Sequence, residues 1–252
     1  MFELFINAFN VILYQPLFNA LILLYDYIPG HDFGVAVIAL TILIKFVLYP
    51  LGAQAIRSQK ALSELQPKMK ALQEKFKNNK EEQTKAVMEL YKQEKINPLS
   101  GCLPLLVQLP ILIALFQVFW RGFGEERFHF LYSFVPYPGQ INTTFFGLVD
   151  LAEASIALAL LTGVAQFIQT KMITPKQKTA KKGASDFSSM MQKQMLYFFP
   201  VFTIFILWRL PSAVALYWLV TTLFTIGQQY IMMRKHDPGT NRENKKSDPG
   251  IL

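Results

Sequence analysis

A single cation sits inside an apolar run. The stretch GVAVIALTILIKFVLYPLG, Gly34 to Gly52, is long enough to cross a bilayer, and its only charge is Lys45. A span needs about 20 mostly apolar residues, and a cation at its middle costs roughly 2.5 to 3.5 kcal/mol. Thr41 lies one turn before Lys45 and Tyr49 one turn after, so the spacing predicts one polar helical face. Two more apolar runs carry polar stripes: Ser155, Thr162, Gln166 and Gln169 in one, and Tyr217, Trp218, Thr221, Thr225, Gln228 and Gln229 in the other. Such groups bind rather than catalyse: an ammonium attracts an anion, and hydroxyls and amides pair a polar chain. Facing lipid they would each be costly. A shared hydrated cavity would satisfy them, and so would a dry hydrogen-bonded seam between helices. For Lys45 alone, snorkelling is the other solution, over on the order of 15 Å by the helical rise.

The chemistry the chain lacks narrows its class. The three histidines, His31, His129 and His236, have no metal-ligand spacing and none lies in an apolar run, so neither a metal nor a cofactor is expected. There is no GxSxG and no GxxxxGK[ST], which argues against an intramembrane hydrolase and against nucleotide use. One cysteine, Cys102, excludes an intrachain disulfide. With 252 residues, 52 % hydrophobic, 14 % aromatic and 17 % charged, the composition is that of a membrane protein. Its net charge of +8 flanks the apolar runs, so cytoplasmic retention explains it better than binding to DNA.

The expected fold is an all-α polytopic membrane protein in a single domain, residues 1–252, with five transmembrane helices around a hydrophilic groove. Residues 5–27 read as an amphipathic helix in the interface, with a short span the alternative, and residues 1–30, which contain no Lys or Arg, lack a signal-peptide n-region. The spans are placed at 34–53, 103–120, 154–172, 195–209 and 212–233. The charged block 54–97 carries an apolar stripe, Leu62, Leu65, Met69, Leu72 and Phe76, that Val87, Leu90 and Tyr91 can answer from a second helix across the turn KNNKEE. It is expected to be a cytoplasmic helical hairpin. Lysine-rich 174–194 and the basic tail 234–252 are assigned to the same side, with the N-terminus outside.

YQPLFNAL, KFVLYPL, LQPKMKALQEKF, MELYKQEKINPLSGCLPLLVQLPI, FIQTKM and LPSAVALYWLVTTLFTIGQQ, in this order, closely resemble the YidC membrane protein insertases, which have mitochondrial and chloroplast relatives. The resemblance runs from Tyr14 to Arg234. It implies a bacterial inner-membrane insertase and chaperone whose groove opens to the cytoplasm and to lipid. Lys45 takes the place of the groove arginine that attracts the acidic part of a substrate, keeping the charge but losing the planar fork. The groove would be lined by Lys45, Thr41, Gln108, Gln166, Gln169, Tyr217, Trp218, Thr221 and Gln228. Leu103, Pro104 and Pro110, with Phe205 to Trp208, match a greasy slide for the entering helix. The implied partners are nascent membrane proteins, the ribosome, a Sec-type translocon and membrane lipids. A small-anion transporter or channel subunit is the alternative function, although no inverted repeat is visible.

Overall fold

The computed structural model describes residues 2–97, 103–121, 125–174 and 194–234. Apart from one short hairpin, the regular structure among them is helical. α1 (Phe2–Phe9) passes through a π-turn (Asn10–Tyr14) into α2 (Gln15–Tyr27); α3 (Phe33–Val47) is followed by α4 (Tyr49–Lys75) and α5 (Lys80–Gln93). α6 (Leu103–Arg121) leads through a 3-10 turn (Glu125–Phe130) to a hairpin of β1 (Thr144–Phe145) and β2 (Val149–Asp150). α7 (Ile156–Ile173), a second π-turn (Gln194–Phe198), α8 (Phe199–Leu207) and α9 (Ser212–Arg234) complete the order.

Prolines shape the helices. Each π-turn ends two residues before a proline, Tyr14 before Pro16 and Phe198 before Pro200. A proline ring clashes with the carbonyl four residues back, and the wider turn relieves it; the Gln15 amide reaches back five residues, to the Asn10 carbonyl. At Pro50 the outcome is a bend. The axes of α3 and α4 differ by 69° across Leu48, because Pro50 has no N–H for the Phe46 carbonyl and its ring presses on that oxygen. The first apolar run is therefore not one straight helix to Gly52: α3 stops at Val47, and Lys45 lies in its last turn rather than near mid-span. A cation there also meets the negative end of the helix dipole.

α9 is the hub, packing most extensively on α7 and α3 and touching α4, α6 and α8. Its first turns are small and wholly inside: Ser212, Ala213 and Ala215 are buried, facing a core that includes Ala36, Leu40 and Ala159. In lipid no hydrophobic gain drives helices together, so close approach through small residues has to. Gly163 on α7 is such a point. A Cβ there would collide with the Ile204 side chain and stand 3.3 Å from the Pro200 carbonyl oxygen on α8. Gly163→Ala should thus cost about 1–3 kcal/mol by overpacking, read as a lower melting temperature in detergent; an unchanged melting temperature would show that the α7–α8 contact gives way freely.

Residues 6–27 form a helical stretch long and apolar enough to cross a membrane. Tyr14, Phe18, Leu21, Ile22 and Tyr25 on it are buried in the same core as α3 and α6, so it packs on the bundle along one face. α4 is a single 27-residue helix that tolerates an internal Pro67, and α5 packs against it, with Tyr91 donating to Met69 Sδ at 3.3 Å and Lys68 bridged to Glu94. Burial raises the Tyr91 hydroxyl pKa above its ordinary value.

The connection after α6 is fastened to the helix ends. Asn19, 2 % exposed, donates to the Gln15 and Phe130 carbonyls and accepts from the Tyr132 amide. Ser212 donates from its amide to the Glu153 carbonyl and from its hydroxyl to the Asp150 carbonyl. That end of the bundle is covered.

Candidate functional site, a polar seam along the last helix

Along α9, Tyr217, Thr221, Thr225 and Gln228 recur at three- and four-residue steps, spanning roughly 16 Å by the helical rise. Three of the four reach a different helix. Nearest the covered end, Gln108 on α6 donates to the Tyr217 hydroxyl, which is buried at 2 % exposure. About one turn from the other end, the Lys45 ammonium on α3 donates to Thr225 Oγ1 at 3.1 Å and stands 5.8 Å from the Phe224 ring centroid. At the far end the Gln228 amide donates to the Tyr49 carbonyl at 3.1 Å, just past the bend into α4. Bending there brings the Tyr49 carbonyl and Gly52 under α9, close enough that a Cβ on Gly52 would sit 3.0 Å from Gln228 Oε1.

The seam is incompletely paired. Gln166 Oε1 on α7 and both amide atoms of Gln229 on α9 are buried with no hydrogen-bond partner among the described residues. An amide left so in an apolar medium costs a few kcal/mol, roughly 1–3 by mutational measures. Lys45 has no carboxylate partner among the described residues, only a hydroxyl and a ring face, and is half-buried. Thr225 in turn donates to the Thr221 carbonyl, which turns its lone pairs toward the ammonium.

The structure sorts the residues expected from sequence. Lys45, Gln108, Tyr217 and Gln228 each make a bond between helices. Thr41 is turned inward: it is wholly buried and its hydroxyl donates to the Val37 carbonyl of its own helix. The expected Thr41–Lys45–Tyr49 face does not exist, because Tyr49 falls beyond the Pro50 bend and contributes a carbonyl, its ring being exposed. Thr162 bonds the Leu158 and Ala215 carbonyls and locks α7 to α9 instead of facing a cavity. Gln166 and Gln169 share a half-buried α7 face, while Trp218 packs on the apolar core. Thr225 and Phe224 are the partners that matter to Lys45; periodicity put Thr225 in the stripe, but no sequence signal marks Phe224.

On the proposed slide, Phe205 of α8 and Trp208 just past its end are 58 % and 52 % exposed, Pro110 of α6 is half-buried, and Leu106, Leu109 and Ile113 beside it are exposed. The side chains of Leu103 and Pro104 lie outside the described residues. α6 and α8 both reach α9 but do not pack face to face among the described residues.

Comparison with known proteins adds an independent line. The family model described as 60Kd inner membrane protein matches residues 23–240. A relative from Fusobacterium nucleatum, named membrane protein insertase YidC, is 37 % identical over 204 residues, which is 81 % of this chain and 87 % of that protein. Relatives of the same name from Pelobacter propionicus and Geobacter metallireducens are 37 % and 36 % identical over 85 % of the chain. The chain spans only 37 % and 35 % of those two longer proteins.

Proposed function

This chain belongs to the 60Kd inner membrane protein family, and from that premise we propose that it is a membrane protein insertase that accepts short hydrophilic segments on the polar seam and releases apolar helices to lipid. Members of the family move a chain between phases and make or break no covalent bond, so the chain is not an enzyme. The observation that carries the reading is Lys45: a half-buried cation held by a hydroxyl and a ring rather than by a carboxylate. Its charge is left to act on something else.

The physical problem is to take a polar segment across about 30 Å of hydrocarbon. A passing peptide needs hydrogen-bond partners wherever water is missing, and half-buried Thr225 and Gln169 are polar side chains left open enough to supply them. Lys45 draws an acidic tail into the seam from its Gln228 end. The cover over the Tyr217 end keeps the path from becoming a pore, so the segment enters from the end where α4 begins. Meanwhile the apolar part of the substrate lies against the exposed faces of α6 and α8 and partitions into lipid, gaining on the order of 25 cal/mol per Å² removed from water. That burial drives release without nucleotide. Lysine-rich 54–97, 174–194 and 234–252 would then be cytoplasmic, with five spans and the N-terminus outside. The α4–α5 pair and basic tail offer phosphate-binding charge to a ribosome, and a Sec-type translocon is a further partner.

Purified chain in liposomes tests this directly. A single-span protein with a short acidic tail should become protease-protected several-fold more than in empty liposomes. Equal protection in both would overturn the reading.

A further inference from the structure

We propose that the β1–β2 hairpin is a membrane wedge: its tip, Phe146 and Leu148, is held in the lipid headgroup and upper acyl region of the leaflet in which α3 begins. Strand pairing sets Thr144 opposite Asp150 and Phe145 opposite Val149, so Phe146, Gly147 and Leu148 form the loop. Phe146 and Leu148 are 69 % and 86 % exposed. Residues 140–149 carry no ionisable group.

The tip is placed rather than left loose. Asp32 caps the first turn of α3 through Oδ1, which accepts from the Val35 amide at 2.9 Å, while its Oδ2 accepts from the Phe146 amide at 2.6 Å. One carboxylate thus ties the hairpin loop to the start of an apolar helix. Phe145 packs over Gly34 so closely that no Cβ would fit there, and the Tyr25 hydroxyl accepts from the Asn142 amide at 2.9 Å. Phe146 adopts φ 49° and Gly147 φ 68°. A left-handed backbone is disfavoured for an aromatic residue, yet here it turns the ring outward instead of into the core.

The membrane is the occupant because the same level of the fold is already marked as an interface. Tyr27 at the end of α2 and Trp120 near the end of α6 are 79 % and 58 % exposed, and α3 begins beside them through the Phe33–Phe119 ring contact. Exposed aromatic rings at span ends sit at headgroup depth. Phe146 and Leu148 continue that belt from a segment that does not span. An uncharged, apolar, rigidly held tip at this depth matches the apolar face of an interfacial element. Its function is to fix the covering connection against the bilayer, so that the cover does not lift when a chain occupies the seam.

The test uses the full chain with Cys102→Ser, one copy per lipid nanodisc, and an environment-sensitive fluorophore on Leu148→Cys, with Gln140→Cys as reference. Both substitutions fall on exposed side chains. The expected result is blue-shifted emission at position 148, loss of intensity with lipids brominated on the upper acyl chain, and no quenching by aqueous iodide. Water-like emission quenched by iodide would overturn the proposal. So would blue-shifted emission that brominated lipid leaves unchanged, which would mean that protein covers the tip.

Discussion

Lys45→Ala will lower insertion of a single-span protein with an acidic tail by about tenfold or more, while Lys45→Arg will keep most of it. The magnitude follows from Coulomb's law. An ammonium and a carboxylate about 4 Å apart attract by roughly 1 kcal/mol in water and roughly 4 kcal/mol at the effective dielectric of a protein surface. Each 1.4 kcal/mol is about tenfold, so a half-buried site lies at or beyond one decade. Folding does not confuse the result. Removing Lys45 strands no opposite charge among the described residues, and Thr225 keeps its bond to the Thr221 carbonyl. Arginine retains the charge but presents a planar fork where Lys45 offers a point charge to one hydroxyl, so a modest loss with Lys45→Arg is compatible with the account. A substrate whose tail lacks acidic residues should be nearly indifferent to Lys45→Ala. Equal insertion by all three proteins, measured as protease protection in liposomes, would remove the charge from the mechanism.

The second large effect is structural. Asn19→Leu preserves volume but deletes two donated bonds and one accepted bond at a position only 2 % exposed. The Phe130 carbonyl keeps Gln15 Nε2 at 3.1 Å, whereas the Tyr132 amide loses its Asn19 acceptor. A buried group left unmade costs about 1–3 kcal/mol, and with the lost net bonds the total is about 2–4 kcal/mol. For a chain of this size that corresponds to a fall in melting temperature on the order of 5–10 °C. The connection between α6 and α7 should also become protease-sensitive while the helices persist. A melting temperature within a degree of the parent would show that Asn19 does not hold the cover.

Much of the helical layout was legible because lipid demands long apolar runs, and the polar seam because polar residues in such runs are few. Lys45, Tyr217 and Gln228 stood out for that reason and Gln108 through the family resemblance, and each makes a bond between helices. Local proline chemistry was written in the sequence too, but the apolar run continued past Pro50 and hid the bend. That concealed where Lys45 sits along its helix and sent Tyr49 off the expected face. Thr41 needs no cavity for another reason: a threonine on a helix satisfies its hydroxyl on the carbonyl four residues back, and Thr162, which also bonds the Ala215 carbonyl, takes the dry seam that the sequence had left open. Asn19 and Asp32 were illegible because their partners, Phe130, Tyr132 and Phe146, are more than a hundred residues away in an irregular segment. No periodicity announces such bonds. The relatives supply what neither source gives alone, since a cation in a seam is compatible with several functions until family membership narrows them.

Photo-crosslinking of an arrested substrate reads the seam and the apolar faces separately. A photoreactive side chain at Thr225, beside Lys45, and another at Phe205, on the exposed face of α8, would report which part of the substrate each one meets. The Thr225 position should capture the hydrophilic tail and the Phe205 position the apolar helix. Tail capture at Thr225 should also fade when Lys45 is alanine. Capture of the apolar helix at both positions, with the tail at neither, would contradict this assignment.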